Sequence, residues 1–290
     1  MVTVIRLAGR GGEKMWTETH RARHAARLKE VVSLHAVGQV AGRLERADPP
    51  RGARATPYAA VVRALAWHLR VGGAWRALPP GLVHRRTAYG WLRRWLRSGL
   101  FDALLRVVAA LRRRAAGRGA HPSPGVIDTR SVECIPVRGP RGHDAAKKVL
   151  GRKRVALVDA GGVRLAVAVV PANVRERDTL PALDAGEAAW PSLREAVLDG
   201  AFTAPRREGW CNHHGMRRRV VERAPDRKGF VVLERRRVVE RSFGRLVHWG
   251  GLMRDRAGRL DVSAARLAFV AVLSGVAALI NPTPIQAAAS

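Results

Sequence analysis

The sequence predicts an α/β chain in two parts: an all-helical block, then a mixed sheet with helices on both faces. Three observations predict it. Between Thr56 and about Gly119, apolar residues recur at three- and four-residue spacing between short Gly/Pro turns. From Ser123 the pattern shifts to short apolar runs of strand length. The later elements follow the order β-β-β-α-β-α-β-α, an antiparallel meander feeding a parallel crossover.

The balance of charge narrows what such a chain can do. Its 290 residues hold 53 Lys+Arg against 23 Asp+Glu, a formal net charge of +30. With 47% of residues hydrophobic, a disordered basic tail is excluded. A folded chain this positive needs a polyanion, and nucleic acid is the leading candidate. Only six of the bases are Lys, and Arg makes bidentate phosphate contacts. Two cysteines, Cys134 and Cys211, are too few for a disulfide framework or a Cys-based zinc site. The start carries no apolar stretch of signal-peptide length. The longest apolar run, Leu267–Ile280, is fourteen residues; a bilayer needs roughly 20, so it reads as a core helix.

Residues 1–55 read as a basic leader, with helical character over Thr17–Glu45 broken at Pro49-Pro50. Residues 56–119 read as a helical DNA-binding unit. Apolar residues from Val61 to Leu69 run to Gly72-Gly73, Pro79-Pro80-Gly81 turns the chain, and Thr87 can cap a helix over Ala88–Ser98. That helix sets Trp91 and Trp95 four apart on one face, with Arg93, Arg94 and Arg97 elsewhere, as in the second helix of a helix-turn-helix. The two tryptophans can equally be core, and the arginines a solvated face. A third helix, Leu100–Arg114, ends at Gly117-Arg-Gly119. Residues 120–290 form the sheet-bearing part. Gly125–Val132 reads as a strand, Arg154–Asp159 and Val163–Val170 as a hairpin about Gly161-Gly162, and Leu193–Leu198 as the strand after a helical Arg175–Trp190. Phe202–His214 reads as helix, Arg219–Glu222 as a strand, Glu234–Trp249 as a basic helix and Ala264–Leu279 as the last helix.

Three carboxylates stand out. Asp128 lies inside an apolar strand, where a charge needs a partner. Asp199 ends the parallel strand, where open α/β sheets bind ligands. Glu240 shares its helix with Val238, Val239 and Phe243, whose apolar face turns toward the sheet. Each alone can be a turn or surface residue. Together they resemble a cage for a hard divalent cation such as Mg²⁺. Asp159 competes for a cage place but abuts the hairpin turn and reads as structural. His213-His214 reads as a surface pair.

At these residues the sequence resembles bacterial insertion-sequence transposases of the DDE class, over roughly Ala55 to Ile285. The matching text includes Val-Ile-Asp-Thr around Asp128, Arg138-Gly-Pro-Arg-Gly-His-Asp-Ala-Ala-Lys-Lys148, Gly151-Arg-Lys-Arg154 and Leu198-Asp-Gly-Ala-Phe202. Lys228-Gly-Phe-Val-Val-Leu233 and Arg235-Arg-Arg-Val-Val-Glu-Arg-Ser-Phe243 continue it. Arg70-Val-Gly-Gly-Ala-Trp-Arg-Ala-Leu-Pro79 and Thr87-Ala-Tyr-Gly-Trp-Leu-Arg-Arg-Trp95 match the family's N-terminal segment. The chain departs from the family pattern at Leu233, Val247, Arg130, Glu133 and Arg237.

The resemblance implies a ribonuclease H-like catalytic domain in which Asp128, Asp199 and Glu240 are catalytic and hold two Mg²⁺ or Mn²⁺ ions. It implies cleavage at element ends followed by strand transfer into target DNA. Lys147, Lys148, Arg152, Lys153 and Arg236 would position phosphates, and Arg93, Arg94 and Arg97 would bind the terminal inverted repeats. A cytoplasmic, nucleoid-associated homo-oligomer working on DNA, without membrane contact, goes with that reading. Two other classes stay open: a DNA-binding protein without catalysis, and a ribonuclease H-like nuclease that cuts without joining.

Overall fold

A computed structural model describes residues 33–49, 56–136, 138–199, 202, 208–221 and 242–281. Helix α1 (Leu34–Ala47) starts at Ser33, whose hydroxyl accepts the Ala36 N–H at 3.2 Å. Its buried residues Ala36, Val37, Val40, Ala41 and Leu44 follow helical spacing and pack on helix α2 (Tyr58–Val71). Helix α1 thus lies within the expected leader yet carries core residues.

Gly72 ends α2 at φ +76°, a conformation that favours glycine. A Cβ there would also stand 2.4 Å from the Gly250 carbonyl carbon, so the close approach of the two backbones needs it bare. A short 3₁₀ turn (Trp75–Ala77) leads to α3 (Arg85–Arg97) and α4 (Leu100–Ala115). Tyr58 is wholly buried, with ring centroids 4.8 Å from Trp91 and 5.4 Å from Trp95, both edge-on. Trp95 is therefore core, while Trp91 is half-buried.

The sheet holds β1 (Pro124–Glu133), β2 (Gly142–Asp144), β3 (Val149–Asp159), β4 (Arg164–Pro171), β5 (Glu195–Asp199) and β6 (Arg217–Val221). β3 pairs antiparallel with β1; on its other edge β2 takes its first residues and β4 the rest. β5 runs parallel to β1, and β6 parallel to β5. This mixed order, with helices on both faces, is the ribonuclease H-like layout expected from the sequence. The connection from β4 to β5 is a 3₁₀ helix (Glu176–Leu183) and a four-residue α5 (Asp184–Glu187), broken by Pro181 rather than one continuous helix. Of the expected helix over Phe202–His214, the described part is α6 (Glu208–His213).

Alternation sorts the strands into two faces. After a four-residue α7 (Gly250–Met253) comes the last helix, α8 (Leu260–Ile280); Val126, Ala156, Val158 and Val197 face it together with α1, α2 and α4. Ile127, Val155, Leu157, Ala196 and Leu198 face Leu180, Leu183, Trp190 and Phe202. Among the described residues α8 is long and apolar enough to cross a membrane, but 67% of its most apolar window is buried against the rest of the chain. It is a core helix of 21 residues, longer than the fourteen-residue run because Val262 and Ala265 also turn inward.

Candidate active site and basic surfaces

Strand register sets Asp128 and Asp199 at matching positions on neighbouring strands. The parallel ladder pairs Pro124 with Glu195, Gly125 with Ala196 and Val126 with Val197. Two residues beyond that last pair each strand carries an aspartate, Asp128 on β1 and Asp199 at the end of β5. Both share the face of Val126 and Val197, and both are half-buried. Asp128 Oδ1 accepts the N–H of Thr129 at 2.7 Å. Carboxylates on this face, one of them at the carboxyl end of a parallel strand, are hard-oxygen donors of the kind that suit Mg²⁺ or Mn²⁺. Among the described residues no three His, Cys, Asp or Glu side chains cluster as a metal site.

Glu240 and Arg236 lie outside the described residues. The chain from Ser242 onward lies over the face that carries both aspartates. Phe243 and Leu246 belong to the same core as Val126, Ala156 and Val197. A small cavity there is lined by Arg130 and Arg154 from the sheet and by Phe243, Val247 and Met253 above it. Arg130 and Arg154 are directly opposed across β1 and β3, two pairs beyond Asp128. Burial brings Arg154 down to about 10 against the opposing pull of Asp255. Glu133 pairs with Arg254 at 3.0 Å.

The expected phosphate ligands divide. Lys147 and Lys148 are exposed in the turn between β2 and β3, with Lys147 Nζ 2.9 Å from Glu176. Arg152 and Lys153 are instead internal. Arg152 is 0% exposed, 3.1 Å from Asp255, and donates to the carbonyls of Pro140 and Ala257. Lys153 donates to the Val174 carbonyl at 2.8 Å and lies 3.7 Å from Asp144. The reason is their strand: β3 is covered on both faces, so consecutive bases cannot all reach water. Burial pushes the Asp144 carboxyl up, but the Ser131 hydroxyl, the Lys147 N–H and both lysine charges outweigh it and hold it low.

On α3, Arg94 and Arg97 are exposed and Arg93 half-buried. Arg94 grips Asp48 with two hydrogen bonds of 3.0 and 2.7 Å and lies over the Trp91 ring at 4.8 Å. Asp159 is structural, as expected: it is wholly buried, accepts the N–H groups of Gly161 and Val163, and pairs with Arg113 and Arg118 from α4 and the segment after it. The expected His213-His214 surface pair is half right. His213 is exposed, whereas His214 tucks its Nδ1 2.6 Å from Glu187 and ties α6 to α5. Sequence reasoning missed the Arg112, Arg164 and Arg245 cluster; its one signal was Arg164 interrupting the apolar run Val163–Val170.

A mixed sheet of this order, preceded by helices, defines a ribonuclease H-like domain behind a helical segment. The chain belongs to the Transposase DDE domain family, whose model matches residues 121–274, over half of its length. Residues 39–105 match the family described as a putative transposase of the IS4/5 family. No curated protein matches the chain.

Proposed function

We propose that this transposase cuts DNA at the ends of its element and joins them to target DNA, with Asp128, Asp199 and Glu240 as its catalytic carboxylates. The observation that carries the reading is the parallel β1–β5 pairing of Val126 with Val197, two residues before Asp128 and Asp199 on the same face. The return of the chain over that face two residues after Glu240 supports the third member. The carboxylates would hold two Mg²⁺ or Mn²⁺ ions, which supply activation of the attacking oxygen and charge relief at the leaving oxygen.

The rest of the work falls to the chain. Arg93, Arg94 and Arg97 hold the phosphates of the terminal repeats, and Lys147, Lys148 and Arg236 hold the strand being cut. Arg152 and Lys153 keep structural roles. In cleavage a water oxygen bonds to phosphorus, the bond to the 3′ oxygen breaks, and the proton passes to bulk water. The element end is left as a 3′-hydroxyl. In joining, that hydroxyl oxygen bonds to a target phosphorus, loses its proton, and displaces the target's own 3′ oxygen. A homo-oligomer holds two ends together for this step.

Asp128→Asn and Asp199→Asn test the assignment in a strand-transfer assay with the flanking repeats and Mg²⁺. Each should abolish cleavage while binding to the ends persists. Variants that still cut would show the carboxylates to be misassigned; a wild-type chain that binds but never cuts would make it a DNA-binding protein without catalysis.

A further inference from the structure

A second concentration of positive charge lies between α4, α8 and the start of β4. It surrounds a cavity of about 230 Å³. Arg112 from α4, Arg164 from β4 and Arg245 from the chain before α8 all line it, with Ser242, Ser274 and Asn281 as polar neighbours. The remaining wall is mainly apolar, and none of the described lining residues is a carboxylate. The nearby Asp159 is committed to Arg113, Arg118 and two backbone N–H groups.

Three guanidinium groups so arranged repel one another. Burial, then the charge of Arg245, lowers Arg112, and Asp159 only partly offsets this. Burial, then Arg245, Arg112 and Arg154, brings Arg164 down to about 9. Arg164 donates one arm to the Ser242 carbonyl. Its Nε is buried and, among the described residues, has no acceptor; the Ser242 hydroxyl is buried without a partner too. Buried donors without acceptors are rare in folded proteins, and each one here calls for an oxygen the described chain does not supply.

We propose that this cavity binds a doubly charged phosphate group, held by Arg112, Arg164 and Arg245 with a further hydrogen bond from the Ser242 hydroxyl. A carboxylate would bring one charge and two oxygens, too little for three forks. A phosphate monoester or inorganic phosphate carries about −1.5 to −2 at neutral pH, whereas a phosphodiester within a strand carries one charge. Both inorganic phosphate and the 5′-phosphate of a DNA end meet this description. The site does not depend on the assignment of Asp128, Asp199 and Glu240.

Titration calorimetry on the full chain, at fixed ionic strength, tests the site with inorganic phosphate against acetate. Saturable phosphate binding without acetate binding is expected. Losing one charged donor should weaken it about tenfold or more, since such bonds are worth about 1.5–3 kcal/mol. Arg112→Gln and Arg245→Gln are the variants to use, because Arg164 also holds the Ser242 backbone and its loss can unfold the chain. Two otherwise identical oligonucleotides, one ending in a 5′-phosphate and one in a 5′-hydroxyl, separate the sources. Preference for the phosphorylated end, lost in Arg112→Gln, assigns the site to DNA ends; equal binding of the two, with inorganic phosphate still bound, assigns it to free phosphate. Phosphate binding that is absent, matched by acetate, or unchanged in both variants overturns the proposal.

Discussion

Arginine serves two regions of this molecule in opposite ways. On α3 the Arg94 side chain is 45% exposed, pairs with Asp48 at the surface and lies over Trp91. On β3 the Arg152 side chain is 0% exposed and locked to Asp255, which itself accepts from Ser263 and the Ala257 N–H. The first pair lies in water and is screened by salt; the second has lost its hydration and depends on the geometry around it. A net charge of +30 is therefore not one uniform field. Part of it faces outward, and part is internal scaffolding that joins β1, β3 and the start of α8.

The sharpest way to break the comparison is to remove one partner of the buried pair. Asp255→Ala strands the Arg152 charge and should cost about 3–5 kcal/mol of stability, read as a fall in the urea midpoint. A loss below 1 kcal/mol would mean that water reaches Arg152 after all.

A second test reads burial and the charge of nearby arginines on a histidine. His68 is stacked on Trp75 at 3.7 Å and brought down to about 3, by burial first and then by Arg266 and Arg256. Its folded value lies below the ordinary 6.5, so below pH 6.5 the unfolded chain takes up a proton that the folded chain refuses. Stability is then lost as pH falls from 6.5 toward 3, at a slope approaching about 1.4 kcal/mol per pH unit from this residue. His68→Phe keeps the stacking and should flatten the urea midpoint against pH in that window; an unchanged slope would refute the buried neutral imidazole.

The smallest effect belongs to the surface pair. A double-mutant cycle on Arg94→Ala and Asp48→Ala should give a coupling of about 0.2–1 kcal/mol that shrinks in high salt. A coupling as large as that of the Arg152 pair would erase the distinction.

What the sequence revealed follows the reach of each interaction. β1, the β3–β4 hairpin and α8 were legible because apolar runs and Gly161-Gly162 act locally. β2 was not, since its three residues, Gly142–Asp144, are a strand only because β3 lies alongside. Asp128 and Asp199 stood out singly, but their common face depends on the register of strands 71 positions apart in sequence, which no local pattern encodes. Arg152 and Lys153 read as surface charge because a basic run says nothing of two covered sheet faces. Arg112, Arg164 and Arg245 meet only in the folded chain.

The position of α8 has a consequence for synthesis. It packs against α1, α3 and α4 as well as β4, and Phe101 meets Phe269 edge-on at 5.9 Å. The core of the N-terminal helices is thus completed by residues made more than 150 positions later. At roughly 5–20 residues per second, that delay is on the order of ten to thirty seconds. During it the apolar faces of α1, α2 and α4 emerge without their last partner. A nascent chain cut short before Leu260 therefore lacks the helix that closes its own N-terminal core, which ties arginine-bearing α3 to completion of the whole polypeptide.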